Sequence, residues 1–355
     1  MTGSADDDVR VVRLCLLGFG HAARRLCELL AERESDLADR HRVRFVVTAV
    51  GTARHGSLHS ATGLSPAQVL DLARGAGWAF PDPARPGVDV VAGSGADVLL
   101  EATPLEQGGH TATEHLEAAF AAGMDAVTVN KGPIAWAYRR VRDAADRHGR
   151  RLRFEGVTMD GCPVYGLVEH CLPGATVTSF HGVLNATTNH ILDAMASGVT
   201  FDDALATAQR QGFAEADPTH DIDGHDAAAK VAALANVLMD ADITPDDVSR
   251  ASIRDVTAEL VQEARAHGRR MRVGCSAERT ADGRVAGRVE LVEVGPDHPY
   301  YDVTGSSSIV VLQTDLMGAI EVVERDGLLT QTAYALYADL LTLYGSSRTG
   351  RRSTS

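Results

Sequence analysis

Of the 34 basic residues in this chain, only Lys131 and Lys230 are lysines; every other one is arginine. As surface charges the two types are nearly equivalent, so a bias toward arginine removes lysine wherever only a positive charge is wanted. Their chemistry differs. An ammonium can release its proton when its surroundings lower its pKa, and it is a compact point donor, whereas a guanidinium keeps its proton and presents a flat fork. Lys230 follows Asp226 at i+4 in Asp226-Ala227-Ala228-Ala229-Lys230, so the two share a helix face. An exposed salt bridge is the plain alternative for such a pair. However, Ala227 to Ala229 and Val231 to Ala235 make the helix almost wholly apolar, which predicts a buried element whose charges need partners. Buried, coupled Asp and Lys side chains are candidates for proton transfer. The stretch from Glu215 to Lys230 is dense in acids and histidines, yet its spacing fits neither a calcium loop nor a paired-histidine zinc motif.

The elements that must position these residues alternate strand and helix at first. Val11 to Leu17 is an apolar run expected to form a strand buried on both faces. It ends in Gly18-Phe19-Gly20-His21-Ala22-Ala23 and passes into helical spacing from Arg24 to Leu30. Strand, glycine turn and helix in that order form the dinucleotide fingerprint, in which the turn lets backbone approach a pyrophosphate and the helix N-terminus faces its charge. The second strand, Phe45 to Val50, ends in Gly51-Thr52-Ala53-Arg54. No acid stands there to hold a ribose 2′-hydroxyl, while Arg54 suits a 2′-phosphate, so NADP is expected in preference to NAD. Two further strands end at Thr103 and just before Lys131, and in a parallel sheet both residues lie at the carboxyl edge where ligands bind.

From about Glu155 the pattern changes. Strands of a mixed or antiparallel sheet are expected at Thr176 to Leu184, Arg270 to Cys275, Val285 to Val292 and Ser308 to Leu312. Helices are expected near Ile191 to Met195, Phe201 to Gln211 and Asp226 to Leu238, with an amphipathic helix at Thr330 to Tyr344. The fold class is thus α/β: a Rossmann-type parallel-sheet domain over 9–154, then an α+β domain over 155–318. A C-terminal helical segment over 319–344 and a disordered polar tail over 345–355 complete the expectation.

The formal net charge of −14 disfavours nucleic acid and anionic membrane surfaces as partners. Five scattered cysteines suit a reducing compartment, no apolar run is long enough to span a bilayer, and the acidic MTGSADDD start is unlike a signal peptide. A cytoplasmic protein without membrane contact is expected.

The motifs together resemble the homoserine dehydrogenase family. The resemblance rests on Gly18–Ala23, Glu101-Ala102-Thr103-Pro104, Thr128-Val129-Asn130-Lys131-Gly132-Pro133, Gly182 to Leu192 with Asn185-Ala186-Thr187-Thr188-Asn189 at its centre, and Glu215 to Lys230. It covers most of the chain and matches the short form of the family, without a C-terminal regulatory domain. It implies NAD(P)H-dependent interconversion of L-aspartate 4-semialdehyde and L-homoserine, a mixed-sheet domain for substrate and homodimer formation, and a C-terminal helix returning to the first domain. Carried onto this sequence, Lys230 exchanges the proton with the substrate oxygen, with Asp226 beside it, and Lys131 meets substrate and nicotinamide. Glu215 binds the α-ammonium, Asp221 orders the site, and Ala186 and Thr187 give backbone contacts to the small amino-acid substrate. Gly18, Phe19, Gly20, His21, Ala22, Thr52, Arg54, Thr103 and Lys131 face the cofactor. A monovalent cation, Na or K, is implied near Glu155, Thr158 and Asp160, where the family's glycine-rich loop is altered. Phe213 stands in place of a frequent tyrosine, and Glu324-Arg325-Asp326-Gly327 replaces a glycine-rich turn. Two other readings are a dehydrogenase for another small amino aldehyde or keto acid, and a non-catalytic NADP(H) sensor. Retention of both lysines argues against the sensor, which needs only cations at those points.

Overall fold

The computed structural model describes residues 9–211, 214 and 217–346. Glu215, Phe213, the acidic start and 347–355 of the expected tail lie outside the described residues. Of those described, one unit takes 9–133, 140–156 and 329–346, and the other 134–139 and 157–328.

Along the first 153 residues run β1 (Arg10–Leu17), α1 (His21–Glu32), α2 (Glu34–His41), β2 (Val43–Gly51), β3 (Ser57–Leu64), α3 (Pro66–Gly75), α4 (Gly87–Gly93), β4 (Val98–Glu101), α5 (His110–Ala121), β5 (Asp125–Thr128), α6 (Lys131–Trp136), α7 (Tyr138–Arg147) and β6 (Leu152–Arg153). The first unit's sheet has the order β3-β2-β1-β4-β5-β6, parallel except for β3, which pairs antiparallel with β2. Strand order reverses between β1 and β4, so their carboxyl ends open onto the switch point where such sheets bind ligands. β4 and β5 are buried throughout, which is why they read as short apolar runs. β3 was not expected: Ser57-Leu58-His59-Ser60-Ala61-Thr62-Gly63-Leu64 carries no apolar run, because an edge strand needs little apolar surface. The C-terminal helix, Leu329–Tyr344, belongs to this unit. Its Leu336, Leu340, Leu343 and Tyr344 join the core around Leu16, Leu26 and Leu30, and the Tyr344 hydroxyl donates to Asp125 Oδ2 at 2.8 Å.

The second unit contains α8 (Tyr165–Cys171), β7 (Val177–Val183), α9 (Ala186–Ala196), α10 (Phe201–Gln211), α11 (Thr219–Ile222), α12 (His225–Leu238), β8 (Ser249–Arg250), α13 (Ala258–Ala266), β9 (Arg270–Arg279), β10 (Val285–Val294), β11 (Ser308–Thr314) and β12 (Gly318–Glu324). Its sheet order is β12-β11-β7-β9-β10-β8, antiparallel apart from the short β8–β10 pair. Helices α9, α12 and α13 pack against β9, and α12 also against β10. The segment from 319, grouped by sequence with the last helix, begins instead as β12. Gly318-Ala319-Ile320-Glu321-Val322-Val323-Glu324 alternates and pairs with β11 across a tight turn, and the helix starts only at Leu329. Ala227–Ala229 and Val231–Asn236 of α12 are buried, the consequence of its apolar sequence. Cys15, Cys27 and Cys275 are free and buried, and burial pushes each thiol up to about 12, so they act as packing groups. Among the described residues no helix is long and apolar enough to cross a membrane.

Candidate active site

In the first unit a cavity of about 650 Å³ opens at the carboxyl ends of β1, β2 and β4. Gly18, Phe19, Gly20, Thr52, Arg54 and Thr103 all line it, while His21, Ala22 and Lys131 are not among its lining residues. Gly18 has a φ of +85°, and a Cβ there would lie 2.3 Å from the Ala102 carbonyl oxygen; only glycine lets β1 turn this close to the end of β4. Gly20 is different. A Cβ built on it meets nothing within 4 Å, so the hollow in front of it is empty of protein. Gly20 also caps α1 without a side-chain acceptor, leaving the first N–H groups of that helix for a ligand. This cradle fits the pyrophosphate of a nicotinamide dinucleotide. Three arginines, Arg24, Arg54 and Arg85, line the same cavity, against Glu106 as its one lining carboxylate.

Two residues to which the sequence reading assigned no role hold this edge together. Glu101, fully buried at the end of β4, accepts from the Thr103 backbone N–H at 3.3 Å, from the Thr103 hydroxyl, and from the Thr128 hydroxyl at 3.2 Å. Asn130 donates to the Thr103 carbonyl at 3.0 Å and accepts from the Gly132 N–H at 2.9 Å, tying the end of β5 and the start of α6 to the Thr103 turn. The available signal was an acid closing an otherwise apolar strand. Lys131 follows directly as the first residue of α6.

The second unit gathers the Lys230 cluster. The Lys230 ammonium donates to the Leu184 carbonyl at 2.6 Å and lies 3.3 Å from Asp226 Oδ2. Both side chains are largely buried, at 17% and 15% exposure, so the solvated salt bridge is set aside. Asn185, which caps α9 by accepting from the Thr188 N–H, uses its amide N–H groups to bridge Asp221 Oδ1 at 2.7 Å and Asp226 Oδ2 at 3.0 Å. The Thr187 hydroxyl donates to Asp221 Oδ2 at 2.9 Å. Burial opposes the Lys230 charge, but Asp226, Asp160 and Asp221 outweigh it and hold the ammonium above its ordinary value. Burial, reinforced by Asp226, pushes Asp221 up. Glu324, at the end of β12 and buried, is pushed up to about 7 by burial and by Asp160, against the pull of Lys230.

Lys230, Asp226, Asp221 and Thr187, named from sequence for proton exchange and substrate, are brought together by the fold, which adds Asn185, Glu324 and Asp160, the last expected only as a cation ligand. Ala186 begins α9 beside them. Glu155 opens a short 3₁₀ turn in the first unit, where its N–H donates to Asp339 at 3.0 Å; Thr158 and Asp160 belong to the second. Among the described residues no three His, Cys, Asp or Glu side chains are grouped to hold a metal ion.

A parallel sheet with a dinucleotide cradle at its switch point, followed by a unit carrying a buried lysine among carboxylates, defines a nicotinamide-dependent dehydrogenase. The family profile described as homoserine dehydrogenase, NAD binding domain, matches residues 18–155, and the profile described as homoserine dehydrogenase matches 163–341. The chain belongs to the homoserine dehydrogenase family, NAD(P)-dependent oxidoreductases that reduce L-aspartate 4-semialdehyde to L-homoserine and catalyse the reverse oxidation. It is 34% identical over 342 residues to the NAD(+)-dependent homoserine dehydrogenase of Pseudomonas canavaninivorans, covering 94% of this chain and 97% of that one. It is 31% identical to the homoserine dehydrogenase of Methanocaldococcus jannaschii, covering 94% and 99%. A solved structure of a putative homoserine dehydrogenase from Archaeoglobus fulgidus superposes with a TM-score of 0.84 at 28% identity, over 94% of this chain and 100% of that one.

Proposed function

We propose that Lys230 is the proton donor and acceptor of the reaction. The observation that carries this reading is the partly buried ammonium, anchored on the Leu184 carbonyl and flanked by Asp226. When bound, the nicotinamide supplies hydride to the aldehyde carbon. The alkoxide that develops on oxygen takes a proton from Lys230 Nζ, leaving a neutral amine, and Asp226 with Asp221 stabilises the ammonium before transfer and favours its return by reprotonation. Because the carboxylates keep Lys230 protonated, semialdehyde reduction is favoured near neutral pH, and homoserine oxidation, which needs the free amine, improves toward alkaline pH. Asp221 orders the site through Asn185 and Thr187. Glu215 takes the substrate ammonium and Lys131 its carboxylate, the one anionic and one cationic contact that a zwitterion needs, with backbone contacts from Ala186 and Thr187.

The cofactor is NADP in preference to NAD, supported by Arg54 and Arg85 lining a cavity in which β2 ends without an acid. The P. canavaninivorans relative is named for NAD(+). A monovalent cation at Thr158 and Asp160 is supported by the buried Thr158 hydroxyl, which has no hydrogen-bond partner among the described residues. The enzyme works as a cytoplasmic homodimer through its second sheet.

The test is Lys230→Arg, which keeps the charge but withholds a usable proton. We expect kcat to fall by on the order of 10²–10⁴, with cofactor binding and cooperative melting near parental. A near-parental kcat returns Asp226–Lys230 to a structural ion pair.

A further inference from the structure

The second unit contains a cavity of about 420 Å³, walled by α9, the end of α13 and the start of β9, to which the Lys230 cluster contributes no residue. Four arginines line it, Arg265, Arg269, Arg270 and Arg272, against Asp193 as the one lining acidic residue. The fold holds three of them in place. Arg265 donates to the Ala196 carbonyl at 2.8 Å and to Ser197 Oγ at 3.1 Å, closing the end of α9. Arg270 lies over the Tyr301 ring, 4.5 Å from its centroid. Arg272, only 1% exposed, donates to Asp193 Oδ1 at 2.9 Å and to the carbonyls of Met271 and Tyr300. Arg269 pairs with Glu293 at 3.3 Å, and a half-exposed pair of that kind is weak and readily exchanged.

Like charges gathered around one hollow repel unless a counter-charge joins them. Burial pushes the Arg272 guanidinium below its ordinary value and Arg270 adds to the effect, with Asp193 opposing both. In a chain of net charge −14 a general surplus of cations does not account for such a group. We propose that this cavity binds a small dianion, a phosphate group or a dicarboxylate, gripped by the Arg269 and Arg270 forks against the fixed wall of Arg265 and Arg272. Guanidinium forks match paired anionic oxygens bidentately, and the volume falls within the range of small-ligand pockets.

The test uses the full chain with NADP⁺ filling the first unit's cavity, titrated by calorimetry and thermal shift with inorganic phosphate, with succinate, and with chloride at matched ionic strength. Saturable binding of phosphate or succinate that chloride does not reproduce is expected. It should weaken by about tenfold or more in Arg269→Gln/Arg270→Gln, as for lost hydrogen bonds to a charged ligand, while hydride transfer stays parental. Phosphate alone identifies a phosphate ligand and succinate alone a dicarboxylate. The exposed single variant Arg269→Gln should move binding the same way if the double variant folds poorly. Stabilisation that follows ionic strength only, or binding unchanged in these variants, overturns the proposal. Neither arginine enters the Lys230 step, so the two tests fail separately.

Discussion

Lys230 is surrounded by Asp226, Asp160 and Asp221, and the same neighbourhood gives Glu324 its character. A glutamate ordinarily loses its proton near 4.5, and burial with Asp160 nearby pushes Glu324 up to about 7. Between those values the folded state binds a proton that the unfolded chain has released, so stability falls as pH rises through that window and stays low above it. Glu324→Gln should therefore melt well above the parent at pH 8 and close to it at pH 4.5; an equal gap at both would show that burial and Asp160 do not act on this carboxyl. In the other unit, Arg54 lines the cofactor cavity, and the proposed preference for NADP rests on it. Arg54→Ala should weaken NADP⁺ binding and leave NAD⁺ nearly untouched, and equal losses for the two cofactors in a titration would refute the assignment. That Arg54 stands at the cavity was legible from its place just after β2. Glu324 was not, since its property comes from neighbours rather than from its own segment.

At the scale of elements, the β1–α1 turn does two separate jobs that two glycines divide. Gly18→Ala forces a Cβ onto the Ala102 carbonyl at positive φ. We expect a loss of about 2 kcal/mol or more in stability, together with impaired cofactor binding. Gly20→Ala adds a methyl into open space, so melting should stay within about 0.5 kcal/mol of the parent. Its cofactor Kd should rise because the methyl occupies the cradle. Similar thermal losses in both variants would count against this division of roles. The helix α9 shows the same economy: Asn185 caps it with one end of its amide and bridges two carboxylates with the other. Strands β1, β4 and β7 and helices α1 and α12 were readable from period and burial, whereas the polar edge strand β3 was not, because edge pairing needs backbone partners more than apolar side chains.

For the molecule as a whole, the second sheet ends in β12, whose Val323 is 38% exposed and whose preceding turn exposes Leu316 and Met317 at 74% and 64%. Apolar surface on a sheet edge is suited to a second copy of the chain. Sedimentation equilibrium should find a dimer that Val323→Glu weakens; a fully active parental monomer at micromolar concentration would refute it. The sequence alone determined the glycine turn after an apolar strand, the alternation of strands and helices, and an apolar helix carrying Asp226 and Lys230. These depend on spacing within a few residues, where backbone geometry acts directly. Only the tertiary structure decided which carboxylates besides Asp226 meet Lys230, that Asn185 reaches Asp226 from 41 residues away, and that Glu101 organises Thr103 and Thr128 together. Such partners are chosen by how strands and helices pack, and packing brings together residues whose separation along the chain carries no local signal.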